Sequence, residues 1–258
     1  MLKVTFDSNV WRLVASPASF PNEKEITSFN AINAAVRAGK IQATLAETVF
    51  TLEAIQKNGR QAFFAGYKPK IETTESIWGS NEVGLSISIG PDTNAHPGNS
   101  HYLSKHWADA EPLGFKLLHC PRIAGAVNPD MKQEWFIPSS NGSANRFGQC
   151  GREIEANGAG LAHLKAIGTS YAAMGQPWHS GIAASPSSEE QSIAKAVAEW
   201  ADGDAVAAHF AYGNDYLCTR DIAKSAGSRS VFSPANRLWL EQKYGVRFVS
   251  PAQLAVMI

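Results

Sequence analysis

Cysteine is scarce in this chain of 258 residues: Cys120, Cys150 and Cys218 are the whole complement. Three is an odd number and none falls in a C-x-x-C pair, which fits a reducing compartment better than a disulfide framework. Net charge is missing as well, with 23 Lys and Arg against 23 Asp and Glu. Strong non-specific attraction to nucleic acid is therefore not written into the chain as a whole. No apolar run approaches the ~20 residues that span a bilayer, so no membrane partner is expected. The N-terminus opens directly into a strand rather than a basic leader with a long apolar stretch, so no secretory signal is expected and the chain reads as soluble and cytoplasmic. There is no internal repeat. What is present is a hydrophobic fraction of 44%, ordinary for a globular protein, and length enough to bury a sizeable core.

Strand and helix signals alternate at both ends. Lys3 to Asn9 reads as a short strand, with Val4 and Phe6 alternating with polar neighbours and Asp7 just past its end. Glu23 to Ala38 reads as an amphipathic helix followed by Gly39, and Ile41 to Leu45 as a second strand leading into a helix from Ala46 to Gln56. Near the other end, Ser188 and Gln191 resemble a capping box opening a helix that runs to about Tyr212, with a bend or break at Gly203. Asp215 to Thr219 is a strand, Pro234 to Tyr244 a helix with Ser233 before it and Gly245 after it, and Val246 to Val249 a last strand. This βα alternation predicts an α/β fold, a three-layer αβα sandwich around a mostly parallel sheet.

The stretch from Lys57 to about Ser188 is looser and is punctuated by turns such as Gly90-Pro91-Asp92 and His96-Pro97-Gly98-Asn99. Strands are expected at Gly84 to Ile89 and Phe115 to Cys120, and a helix at Arg152 to Ile167. The 12 aromatics between Phe63 and Trp178 are too many for a disordered linker. Lys57 to Lys195 carries 12 basic and 12 acidic residues, so it is no polybasic arm. The division expected is one domain over 1–258, with a core from 1–56 and 189–258 and an insertion over 57–188 that also supplies one core strand.

Acids collect at one rim of this scheme. Asp7 and Asp221 each follow a strand, where ligands of open α/β sheets sit, and Glu47 follows another. Asp204 falls on the apolar stripe of the late helix with Ile193, Val197 and Ala208, and a buried acid must be paired or bind a cation. Asp202 lies roughly 200° away on the face of Lys195, Glu199 and His209, so Asp204 is the acid expected to face inward. Carboxylates gathered in this way raise one another's pKa and call for cations. Oxygen-only ligands suit Mg²⁺ or Mn²⁺, and such ions serve the hydrolysis of phosphate esters.

The segments Val4-Thr5-Phe6-Asp7-Ser8-Asn9, Glu47 after the second strand, Gly203-Asp204-Ala205-Val206-Ala207-Ala208, Asp215-Tyr216-Leu217-Cys218-Thr219-Arg220-Asp221 and Tyr244 to Pro251 together resemble the PIN-domain ribonucleases. That group includes toxins of toxin–antitoxin pairs. The likeness covers roughly the first 56 and last 70 residues, and Lys57 to about Ser188 departs from it. The resemblance implies a metal-dependent endoribonuclease in which Asp7, Glu47, Asp204 and Asp221 bind Mg²⁺ or Mn²⁺ and carry the catalysis. Asn9 and Thr219 would assist beside them, orienting a carboxylate or the attacking water. It also implies RNA as substrate and an antitoxin-like protein partner; a homodimer is a separate expectation. Which RNA is cut stays open, because loops around a shared site set specificity.

Weaker signals stand beside this one. His96, His101, His106 and His119 with Cys120 are dense, yet their spacing matches no zinc-ligand pattern. Cys218 suits packing inside a strand. Trp107, Trp135 and Trp178 fit a private core better than stacking on bases. Arg220, Lys224 and Arg229 are as consistent with a solvated loop as with a phosphate clamp. Two competing functions are a non-catalytic RNA- or partner-binding module, and a haloacid-dehalogenase-like phosphatase. The phosphatase needs an acid two residues beyond Asp7, where Asn9 stands.

Overall fold

A computed structural model describes residues 1–66, 70–78, 82–90, 96–122, 126–223 and 227–258. Pro91, Asp92 and Lys224 of the expectations above lie outside the described residues. The described strands are β1 Leu2–Phe6, β2 Ile41–Ala46, β3 Lys70–Trp78, β4 Glu82–Gly90, β5 Lys116–Leu118, β6 Tyr216–Cys218 and β7 Phe248–Val249. The helices are α1 Trp11–Ala15, α2 Ile26–Arg37, α3 Arg60–Ala65, α4 His101–Ala110 and α5 Ser143–Ala156, followed by α6 Ala162–Tyr171, α7 Trp178–Ala184, α8 Glu190–Tyr212, α9 Pro234–Tyr244 and α10 Pro251–Val256.

Five strands make one all-parallel sheet in the order β5-β2-β1-β6-β7. The fold is a three-layer αβα sandwich. Side chains of alternating strand positions feed two cores, as the period of two requires. Val4, Phe6, Ala43, Leu45, Leu117, Cys218 and Val249 face one way, where Trp11, Phe29, Ile32 and Trp107 of α1, α2 and α4 cover them. Ala46, Leu118 and Leu217 face the other way, under α5, α8 and α9. Each Leu or Phe fully buried in this manner is worth about 2 kcal/mol. β5, drawn from the central stretch, falls within the strand expected at Phe115 to Cys120, and β3 and β4 form a separate antiparallel pair.

The face beneath α8 also carries polar groups. His209 Nδ1 lies 3.0 Å from Thr5 Oγ1, and Asn214 Nδ2 donates to Thr5 Oγ1 and Thr44 Oγ1 at 2.8 and 2.9 Å. Burial drives the His209 imidazole down to about 4 and keeps it neutral at physiological pH. These bonds fix the register of α8, which runs against the strands. Asp202, seven residues earlier, is about 10 Å back along the helix axis and so reaches the carboxyl ends of the strands. Beyond that edge the first half of α8 joins Leu52 of the irregular turns after β2, Phe64 of α3, Leu164 of α6 and Ile182 of α7 in a third core cluster.

Several local expectations are corrected. α8 runs unbroken through Gly203 and begins at Glu190 without a side-chain cap. Gly203 is there for a close crossing, since a Cβ on it would stand 2.9 Å from Gly160 Cα. The helix expected at Ala46 to Gln56 is a 3-10 turn, Glu47–Val49, followed by irregular turns. The helix expected at Arg152 to Ile167 is two helices, parted where Gly158 and Gly160 take left-handed φ of 78° and 60°. Trp107 and Trp135 belong to the main core, and Trp178 packs against the third cluster.

Candidate functional site

The chain runs from β1 outward to β2 and β5, then returns to the other side of β1 as β6. The gap between the carboxyl ends of β1 and β6 is therefore the topological switch point, where open α/β sheets bind ligands. Asp7 ends β1 there and is only 7% exposed. Its Oδ2 accepts from Thr219 Oγ1 at 2.5 Å and from Asn9 Nδ2 at 2.7 Å, and its Oδ1 accepts from the Ser8 N–H at 2.6 Å. Thr219 Oγ1 accepts in turn from the Asp221 N–H at 2.9 Å, and Asn9 Oδ1 accepts from the Arg220 N–H at 3.2 Å. The loops after β1 and β6 are thus latched to each other around one carboxylate.

Asp202 of α8 and Glu53 complete the cluster. A small recess between Asp7, Ser8, Thr48, Glu53, Asp202 and Ala205 leaves about 10 Å³ for water, room for about one molecule. Burial raises the Asp7 carboxyl despite its three hydrogen bonds, and Asp221 adds repulsion. Asp202 is raised well above the ordinary carboxylate range by burial and then by Asp7, Glu53, Glu199 and Asp221. Glu53 is pushed up to about 7 by burial and by Asp7, against a hydrogen bond from Ser8 and the pull of Arg60 and Arg12. Among the described residues no ion pair ends on Asp7, Glu53, Asp202 or Asp221. Arg60 is spent on the backbone oxygens of Ile55 and Ala194, and Arg237 on those of Phe232 and Asp221.

Two of the four expected acids are elsewhere. Asp204 is 2% exposed but faces Arg122, whose Nε stands 2.6 and 2.8 Å from its two oxygens, and Trp200 Nε1 donates to it at 2.8 Å. Arg122 continues to Glu155 at 2.8 Å, and Glu155 to Lys165 at 2.5 Å. Burial raises Asp204 to about 6, leaving it ionised at neutral pH, and Asp204 with Glu155 more than offset the burial of Arg122 and raise it further. The contact geometry makes this an ionised pair. A buried acid did need a cation, and the cation is a guanidinium. Glu47 is likewise engaged: its Oε1 accepts from the Cys120 N–H at 2.5 Å and its Oε2 lies 3.5 Å from His119 Nδ1.

The acids missed were Glu53 and Asp202. The irregular turn after Glu47, with Glu53 N–H bonded to Thr48 O at 2.9 Å, carries Glu53 back toward Asp7. Its signal was an acid set among Val49, Phe50, Leu52 and Ile55. The signal at Asp202 was its flank of Ala198, Ala201 and Ala205 with Glu199 one turn away, a face too smooth to be a solvated one.

The histidines form no cluster. His96 is buried with Nε2 2.8 Å from Thr51 O, and His106 stacks on Phe20. Among the described residues no group of three or more His, Cys, Asp or Glu is arranged to hold a metal ion. No described helix is long and apolar enough to cross a membrane.

Fold and site together define an α/β protein whose switch point holds a carboxylate cluster that, among the described residues, no ion pair neutralises. Comparison with protein-family models, curated proteins and solved structures returned no match.

Proposed function

We propose that this protein is a metal-dependent endoribonuclease resembling the PIN-domain family, with Asp7, Glu53, Asp202 and Asp221 at its centre. The observation that carries the proposal is the set of four carboxylates, drawn from four separate segments to one switch point and, among the described residues, without ion pairs. Repulsion of this kind costs stability, and a binding site is where such a cost has a use. The donor chemistry suits a hard divalent cation, carboxylate oxygens throughout with no thiolate or imidazole among them, although the described carboxylates are not already arranged around one. Asp7, Asp202 and Asp221 would hold Mg²⁺ or Mn²⁺, with Glu53 completing the set. The ion would supply positive charge against a phosphodiester and activation of water.

The chain's own groups have separate tasks. Thr219 and Asn9 hold Asp7 in one rotamer through its Oδ2. Glu53, raised to about 7, can take a proton from water near neutral pH. Asn9 donates to Asp7 where the phosphatase would need an acid, which disfavours that alternative. RNA is the substrate in this proposal. An antitoxin-like partner would follow from the resemblance, with a homodimer proposed separately.

The test is cleavage of a mixed single-stranded and structured RNA with Mn²⁺ or with EDTA. Activity with Mn²⁺ and none with EDTA is expected, with a loss of about 100-fold or more in Asp7→Asn and Asp202→Asn. Protein that cleaves no RNA with Mn²⁺, yet binds it equally with and without Asp7, would instead be a non-catalytic binding module.

A further inference from the structure

A groove of about 710 Å³ runs along the outer face of α8, next to the acid cluster and distinct from it. Lys57, His163, Lys195 and Arg229 line it, with Glu190 and Glu199 among them. Lys57, Lys195 and Arg229 are exposed, and among the described residues none of the three is in an ion pair. Arg229 Nη1 lies 3.1 Å from His163 Nε2, so the guanidinium is steered by a ring nitrogen rather than neutralised by a carboxylate. In a chain with no net charge, three cations around one groove, unpaired among the described residues, form a local anion-attracting patch.

The groove and the proposed site share the helix α8. Glu199 lines it and also acts electrostatically on Asp202, one helical turn further along α8. Glu199 is 8% exposed, and its Oε2 has no hydrogen-bond partner. Lys195 and Asp202 are about 10 Å apart along the helix axis. One strand held at Lys195 can therefore present a neighbouring phosphodiester to the acids.

We propose that this groove holds the sugar–phosphate backbone of a single-stranded polyribonucleotide, contacting it through Lys57, Lys195 and Arg229, and feeds it to the acid cluster. The inference rests on the ribonuclease reading and extends it to the substrate path. The groove's described lining holds no Phe, Tyr or Trp, so it recognises the backbone and tolerates sequence.

Binding can be tested apart from cleavage. The probe is a fluorescein-labelled 12-nucleotide single-stranded RNA, read by fluorescence anisotropy with protein carrying Asp7→Asn in EDTA. Adding Lys57→Glu, Lys195→Glu and Arg229→Glu together should weaken binding by about 30-fold or more. It should also reduce the salt slope by about 2, at roughly 0.7 per lost cation on a single strand. Lys3→Glu with Lys40→Glu, at the other end of the sheet, should leave both unchanged, and circular-dichroism melting should show each variant folded. An equally long single-stranded DNA and an RNA duplex are the comparison arms, expected to bind alike and more weakly respectively. Unchanged binding in the triple variant, equal loss in the Lys3/Lys40 control, or no RNA binding by the parent would each overturn the groove. Groove-dependent binding without cleavage by the wild type would sink the ribonuclease reading and leave the groove standing.

Discussion

Asp202 and Asp204 sit two residues apart on one helix and have opposite fates. Asp204 meets a guanidinium and an indole N–H, and its charge is part of a chain from Trp200 through Arg122 to Glu155 and Lys165. Asp202 meets other acids and, among the described residues, no ion-pair partner. Both are buried enough for their carboxyls to be raised, so burial does not separate structure from function here. Compensation does. A buried charge with its counter-ion is explained by the fold, whereas one pressed against like charges is not.

The comparison can be broken from either side. The largest effect expected is on RNA cleavage: Asp202→Asn should lower it by about 100-fold or more, while urea unfolding shows the variant at least as stable as the wild type, because repulsion has been removed. Next is Asp204→Asn, which strands Arg122 and should cost about 3 kcal/mol of unfolding free energy. A double variant with Arg122→Leu should recover part of that loss, and the thermodynamic cycle reads the coupling. Glu47→Gln should be milder, about 1 kcal/mol by urea unfolding with cleavage unchanged, since the Cys120 N–H keeps an oxygen acceptor.

A further effect should appear with pH. The folded-state value of Glu53, about 7, lies above the ~4.3 of an unfolded glutamate. Between these values the folded protein binds more protons than the unfolded chain, so stability falls as pH rises. The penalty is absent below about pH 4 and complete above about pH 7. Glu53→Gln should therefore gain on the wild type by about 1–2 kcal/mol at pH 8, with the difference vanishing toward pH 4. A constant difference across that range would mean that Glu53 titrates normally.

Much of the scaffold was legible because local rules decide it. Val4 and Phe6 alternate, Ser233 precedes Pro234, and Gly245 follows Tyr244 with φ of 67°. Asp7 and Asp221 stood out because a strand end in such a sheet is a place defined by topology. The two other acids depended on what no local rule reports. Arg122, which claims Asp204, lies 82 residues away along the chain. Glu53 is delivered by a turn that breaks an otherwise acceptable helical pattern. The phase argument on α8 separated Asp202 from Asp204, but took Asp204 rather than Asp202 as the acid facing the site. The face of Asp202 looks onto the end of β1.

Thermal unfolding with increasing Mn²⁺ tests most directly whether Asp202, rather than Asp204, shares a site with Asp7. A ligand at 100 times its Kd stabilises by about 2.7 kcal/mol. The wild type should gain about that much, Asp202→Asn should gain almost none, and Asp204→Asn should keep the gain from its lower starting point. A full Mn²⁺ response in Asp202→Asn, with loss of the response in Asp204→Asn, would contradict the assignment.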